Sequence, residues 1–471
     1  MSLRAALAFL FLAMVPHVLG LPSGANVGET TANDRIDAFI HAEMARQKIP
    51  GVAVAIVEKG RVIKAQGYGL ANLEHNVAVK PETIFQSGSL GKQFTSALVM
   101  LQVEEGKLSL SDSVRKYFPD APVTWQPITI RHLLTHTSGI PDYTTESFDY
   151  RRDYTEDELA HLAFQQPLEF PAGSRWNYSN TGYALLGFII RRASGRFYGD
   201  LLRDRVFAPL GMKTARIISE EDIVLNRAAG YRLVKGEWKN QEWVAPQLNT
   251  TADGSLYFSI LDLIAWDRGL RSRALLSEKS WAQIFEPVRL ASGKTYPYGF
   301  GWEFQEVGGQ PVQEHGGSWQ GFQTYLARYL GNDLTIIALA NLAESKPSRI
   351  VEGIAAILDP KLAKPKPTPI PDGEPDVTAR LKALLASAAQ GKLAPEDFAY
   401  VRAGFFPIAA KRYEEMLRGL GEPQRLDLLE RKELGNDRVY TYRVTCAGKT
   451  FEVTLGLAPD NKVSQLWIEP K

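Results

Sequence analysis

One stretch constrains this chain more than any other: Phe85-Gln86-Ser87-Gly88-Ser89-Leu90-Gly91-Lys92, running on into Gln93-Phe94-Thr95-Ser96-Ala97-Leu98-Val99-Met100-Leu101-Gln102. Leu90, Phe94, Ala97, Leu98 and Leu101 recur at helical period, which predicts an amphipathic helix packed into a core. Ser89 falls at its first turn, and Lys92, three residues on, returns to the same face. A helix N-terminus carries unpaired backbone N–H groups and positive partial charge, which favour a developing oxyanion. An amine held beside the hydroxyl can take its proton once desolvation disfavours the ammonium. The same residues also fit a serine that merely caps a helix. A second S-x-x-K copy, Ser113-Val114-Arg115-Lys116, stands in a polar segment and reads as a solvated turn.

The flanking chain has a recognisable order. A short apolar run with one early arginine and small residues at its end, residues 1–20, predicts a signal peptide rather than a bilayer span. Export to the periplasm or medium of a bacterium is the expectation, with no stable membrane span after cleavage. Residues 32–47 predict a helix, and two β-rich runs around Lys59-Gly60 predict a hairpin. A helical, loop-rich region reaches about residue 290. β-rich runs return at 298–304, 322–329 and 334–340, and a helix follows over 347–358. Strands at both ends with helices between predict one sheet closed by distant segments and an inserted helical subdomain. Residues 30–358 are therefore read as one domain. Residues 359–376, rich in Lys-Pro and Pro-x-Pro, form a stiff linker. Residues 377–471 predict helices and then a four-run meander, a small α+β domain that looks like the cone-shaped NTF2-like folds.

Composition excludes several classes. With 471 residues and a formal net charge of +1, the chain offers no bulk attraction to nucleic acid. Its single cysteine, Cys446, permits no intrachain disulfide and reads as a core residue. His132 and His136 are four apart, a metal-like spacing, but no His-Glu pair or third ligand accompanies them; neither metal nor cofactor is expected.

Two further segments carry polar chemistry. In Trp176-Asn177-Tyr178-Ser179-Asn180-Thr181, Tyr178 and Asn180 point the same way in extended backbone, and Asn180 or Thr181 can cap a helix starting near Tyr183. A tyrosine beside two cations can ionise below its usual range and act as general base for Ser89. Asn180 can orient Lys92 and a substrate. A capped loop with one buried tyrosine is the plainer alternative. In Glu314-His315-Gly316-Gly317-Ser318-Trp319, the glycines admit close approach of a substrate, His315 can contact Tyr178 or a carboxylate, and the N–H of Ser318 can pair with that of Ser89. A Gly-rich hairpin corner explains the same residues.

Together, Ser89/Lys92, Tyr178/Asn180 and His315/Gly317 resemble the three motifs of the serine β-lactamase and penicillin-binding-protein superfamily, nearest its class C branch with related esterases and D-amino-acid peptidases. Ile130-Arg131-His132-Leu133-Leu134-Thr135-His136-Thr137-Ser138-Gly139, Phe170-Pro171-Ala172-Gly173 and Tyr298-Gly299-Phe300-Gly301-Trp302 fit it too, and the resemblance covers residues 36–358. It implies an α/β (α+β) fold, an antiparallel sheet flanked by helices plus an all-helical region. It implies a serine hydrolase with Ser89 as nucleophile, Lys92 and Tyr178 as the acid–base pair, and Asn180, His315, Gly317 and Ser318 at the substrate. His315-Gly316-Gly317 departs from the Lys-Thr-Gly usual in true β-lactamases of this branch. Histidine is mostly neutral where lysine is charged, so the partner expected is an ester or a D-amino-acid-type amide, small or peptidic, ahead of a β-lactam. A non-catalytic penicillin-binding or sensor module is the remaining alternative.

Overall fold

The computed structural model describes residues 31–144, 148–400 and 405–471; the expected signal peptide lies outside the described residues. Its framework is a seven-stranded antiparallel sheet. The strands are β1 (Gly51–Glu58), β2 (Arg61–Asn72), β3 (Val77–Ala78), β4 (Glu303–Val307), β5 (Gln310–Trp319), β6 (Phe322–Tyr329) and β7 (Leu334–Ala340), in the spatial order β4-β5-β6-β7-β1-β2-β3. The predicted turn Lys59-Gly60 joins β1 to β2, with both residues at positive φ. β1 and β7 pair along seven residues, so the sheet is closed by segments nearly 280 positions apart in sequence.

Both central strands are apolar throughout because both faces are covered. Val52, Val54 and Ile56 of β1 join Ile336 and Ala338 of β7 under two helices, α1 (Ala32–Gln47) and the C-terminal Pro347–Leu358. Ala53, Ala55, Ile337 and Leu339 face the opposite side, where the helix Lys92–Glu104, here α2, and the helical region pack. The side-chain period of two thus divides one strand between two cores. α1 starts at Thr31, whose hydroxyl and the Asp34 carboxylate form a capping box.

Three local expectations change. α2 is buried on every side from Lys92 to Gln102, not along one stripe; some of its polar groups are met internally, Thr95 Oγ1 donating to Ala252 O (2.7 Å) and Trp266 Nε1 to Gln93 Oε1 (2.9 Å). Residues 298–302 form a bend rather than strand, because Gly301 turns at φ +74° against the Lys92 backbone. The segment Glu314–Trp319 is no corner: it lies within β5, and the hairpin turn is Gln320-Gly321.

Beyond the linker, helices Pro375–Ala389 and Ala410–Leu417 lie over a four-stranded antiparallel meander, Arg425–Leu434, Asp437–Cys446, Lys449–Leu457 and Val463–Pro470. This C-terminal unit has its own core, built on Leu381, Tyr440, Val453, Leu455 and Val463. Cys446 is buried in it, and burial raises its thiol pKa. The linker runs along this unit, Ile370 N donating to Leu428 O. The Gly435-Asn436 turn fastens the unit to the catalytic domain: Asn436 Nδ2 donates to Ser174 O (2.9 Å) and Ser292 Oγ to Asn436 Oδ1 (2.6 Å). Arg175 pairs with Asp437 at 3.0 Å and Lys294 with Glu433 at 3.0 Å. Among the described residues no helix is long and apolar enough to cross a membrane.

Candidate active site

Ser89 sits in a 3-10 turn, Gly88–Gly91, that runs directly into α2. Lys92 opens α2, and its ammonium uses all three N–H groups: Ser89 Oγ at 3.0 Å, Asn180 Oδ1 at 2.9 Å and Asp253 O at 2.5 Å. Its side chain is fully buried. That burial pulls its pKa down to about 8, although Asp253 and Asp142 pull the other way. A buried lysine near neutrality, hydrogen-bonded to a serine hydroxyl, is an amine able to accept that hydroxyl's proton.

The helix Asn180–Ser194, here α3, brings the second motif. Its cap is Ser179, which accepts from Gly182 N, so Asn180 is the first helical residue rather than the cap. Asp142 fixes Asn180 by accepting from its backbone N (3.0 Å) and its Nδ2 (3.3 Å). Tyr178 stands just before this helix, with the Lys92 ammonium 4.9 Å from its ring centroid. Its hydroxyl is enclosed and makes no well-formed hydrogen bond, yet it lies close enough to Ser89 for that hydroxyl to favour the phenolate. Burial dominates and drives its pKa well above 10, with Glu303, Tyr183 and Asp142 adding to the rise. The expectation of an ionised Tyr178 is therefore corrected: burial outweighs the nearby Lys92 ammonium, and the phenol keeps its proton.

His315 supplies no second cation there. It is buried, burial pushes its pKa down to about 4, and it faces Tyr298 rather than open space. Hydrogen bonds define the tautomers along a buried chain. Ser179 N donates to His136 Nδ1 (3.2 Å), leaving Nε2–H for the Tyr298 hydroxyl (3.1 Å). That hydroxyl lies 3.0 Å from His315 Nε2, and His315 Nδ1 donates to Gly316 O (2.6 Å). His315 thus holds two walls of the site together and does not line the Ser89 cavity. His132, the third residue of the short helix Ile130–Leu134, accepts from Thr129 N through Nδ1 (3.1 Å).

Gly317 is required by packing. A methyl group added there would lie 2.1 Å from Ser87 O and 2.8 Å from Leu90 N, so only glycine lets β5 meet the nucleophile turn. The reciprocal holds at Gly88, where φ is +51° and an added Cβ would sit 2.3 Å from Ser318 N. The backbone amide of Ser318 is thereby brought beside Ser89, and the two residues, with Asn180 and Asp253, line a cavity of about 200 Å³.

Sequence reasoning missed Asp142, Tyr143 and Asp253, and gave no site role to His136 and Tyr298, which stand in runs it quoted. Tyr143 Oη donates to Asp253 Oδ2 (3.2 Å), and Asp253 Oδ1 is buried without a hydrogen-bond partner among the described residues. Asp142 and Tyr143 follow the quoted run ending at Gly139 and were within reach of that signal. Asp253 carries none, since its contribution to Lys92 is a backbone carbonyl.

The geometry agrees with the comparisons. The Beta-lactamase family profile matches residues 36–359. A penicillin-binding protein of Bacillus subtilis is 32% identical over 308 residues, 62% of this chain and 68% of that protein. A D-aminopeptidase of Brucella canis is 28% identical over 341 residues, 70% of this chain and 64% of that protein. Among solved structures, an octameric penicillin-binding protein homologue from Pyrococcus abyssi superposes with a TM-score of 0.61 at 23% identity, covering 93% of this chain and 98% of its own. A D-amino acid amidase from Ochrobactrum anthropi gives 0.61 at 24% identity over 70% of this chain and 99% of its own. Fold, motif order and family profile coincide: this chain belongs to the Beta-lactamase family and is a serine hydrolase.

Proposed function

We propose that the protein is an exported hydrolase that acylates Ser89 and cleaves esters or peptide-like amides of the D-amino acid type. The observation that carries this reading is the contact at 3.0 Å between Ser89 Oγ and a buried Lys92 amine whose pKa is drawn down to about 8. Neutral Lys92 takes the hydroxyl proton as Ser89 Oγ bonds to the carbonyl carbon. The carbonyl oxygen becomes an oxyanion, met by the N–H groups of Ser89 and Ser318. Lys92 is now cationic beside the Tyr178 ring, which favours the phenolate. Tyr178 then gives its proton to the leaving nitrogen or oxygen as that bond breaks, and Lys92 restores it. Water enters by the same route in reverse and frees the acid. Asn180 holds the Lys92 amine in place throughout. The roles of Lys92 and Tyr178 are thus shared differently from the sequence expectation, with the amine as first base.

The relatives support the substrate class: a D-aminopeptidase and a D-amino acid amidase stand beside penicillin-binding proteins. The neutral, enclosed His315 supports it further, because it supplies no fixed cation for a β-lactam carboxylate. The leader expected over residues 1–20 supports export. Side-by-side turnover of p-nitrophenyl esters, D-amino acid amides and nitrocefin tests the reading, with a fluorophosphonate label mapped to Ser89. Ester and amide turnover above nitrocefin is expected, and Ser89→Ala abolishes the label. A higher specificity constant for nitrocefin would make the protein a β-lactamase. Neither adduct nor turnover would make it a binding module.

A further inference from the structure

The Ser89 cavity is small, but it does not end at its own walls. Thr144 and Tyr150 also line a second, larger space of about 830 Å³, into which Tyr178 faces. This cleft lies between the catalytic domain and the C-terminal unit. On one side Trp176 stacks on Tyr296, ring centroids 4.1 Å apart at 10°. On the other, Phe398, Phe405 and Trp467 come from the C-terminal unit, and Trp467 is half exposed although the unit has a core to bury it in.

Among the described residues the charge of the lining is one-sided. Its described residues include three carboxylates, Asp142, Glu303 and Asp437, and no basic side chain. Asp437 is paired with Arg175, and Asp142 accepts from Asn180. Glu303, the first residue of β4, has neither a hydrogen bond nor an ion pair among the described residues. Glu303 is exposed, and it lines the cleft. Desolvation at the cleft wall raises its pKa to about 7, and Glu314, directly across on β5, adds to the rise. A carboxyl left without a counter-charge among aromatic faces is complementary to a cation on an apolar body, since rings and carboxylate both attract an ammonium. The same surface repels a carboxylate.

We propose that this cleft binds the ammonium-bearing, apolar end of the substrate, with Glu303 as its counter-charge and the C-terminal unit as its aromatic wall. The inference rests on the hydrolase reading for its meaning, since it places a free amine beside the bond presented to Ser89. It makes the C-terminal unit a specificity element rather than a packing appendage.

Binding tests it without turnover. The full chain carrying Ser89→Ala is titrated calorimetrically with D-phenylalanine amide and with its N-acetyl derivative, which lacks the charge. The free amine is expected to bind at least about tenfold more tightly, the scale of one charge-assisted contact. Adding Glu303→Gln should remove that preference, and Trp467→Ala should weaken both ligands about fivefold at an unchanged melting temperature. Equal affinity for the two ligands, or a preference that survives Glu303→Gln, would overturn the proposal. Hydrolysis of p-nitrophenyl acetate by the unmutated protein is followed separately. Its absence would count against the acyl-enzyme reading alone.

Discussion

The chain carries the same four-residue pattern twice, and the two copies behave as opposites. Ser89 and Lys92 are joined at 3.0 Å, with the amine buried and its pKa lowered to about 8. The side chains of Ser113 and Lys116 do not meet; only a backbone hydrogen bond, Lys116 N to Ser113 O (3.0 Å), links the two residues. Ser113 Oγ accepts from Arg115 N and donates to Gln126 O (2.9 Å), capping its own turn. Lys116 is exposed and bonded to Asp112 (3.0 Å), which raises its pKa. Spacing alone therefore confers no reactivity. What separates the copies is the company each keeps. Asn180 and the Asp253 carbonyl, from remote segments, hold Lys92 in a site that water cannot solvate. Lys116 meets only its local neighbours and solvent.

The sharpest way to break this contrast is paired substitution. Lys92→Ala should cost roughly 10³-fold or more in kcat/KM for a p-nitrophenyl ester, the upper range for losing a general base. Lys116→Ala should stay within about twofold, and comparable losses would mean that both copies act. Next in size is Tyr178→Phe, expected to lose about 10²-fold in kcat with KM little changed, as for a group that acts in proton transfer. A loss confined to KM would reassign the residue to binding. Gly317→Ala should lose about tenfold, because its methyl displaces the turn bearing Ser89; circular dichroism separates that displacement from unfolding. His315→Lys acts mainly on stability. It places a cation in an enclosed site and should cost on the order of 3–5 kcal/mol, read as a fall in Tm. The folded fraction should retain more activity than Tyr178→Phe, and equal losses would give His315 a share of the proton transfer.

Much of this was legible in the residues. β1 and β7 are continuous apolar runs, and α1 carries both its period and its capping box, so the framework followed from local pattern. The first two motifs meet through Lys92 and Asn180, while of the third only Ser318 lines the Ser89 cavity. What local pattern misjudged was set by distant contacts. Glu314–Trp319 is polar and Gly-rich, yet pairing with β6 makes it strand. The Tyr178 hydroxyl keeps its proton because of burial, which no neighbouring residue in sequence reports. The chain from Ser179 through His136 and Tyr298 to His315 spans well over a hundred positions. Nothing in Phe398, Phe405 or Trp467 indicates that they would wall a cleft belonging to another domain.

The most direct measurement is the pH dependence of the second-order rate at which a fluorophosphonate modifies Ser89. Only the neutral amine can take the hydroxyl proton, so the rate should rise as pH increases through about 8 and level off above it. Lys92→Arg, which cannot give up its proton in this range, should remove both the rate and the inflection. A rate that is flat from about pH 6 to 10, or an inflection that survives Lys92→Arg, would show that the buried amine is not the group that activates Ser89.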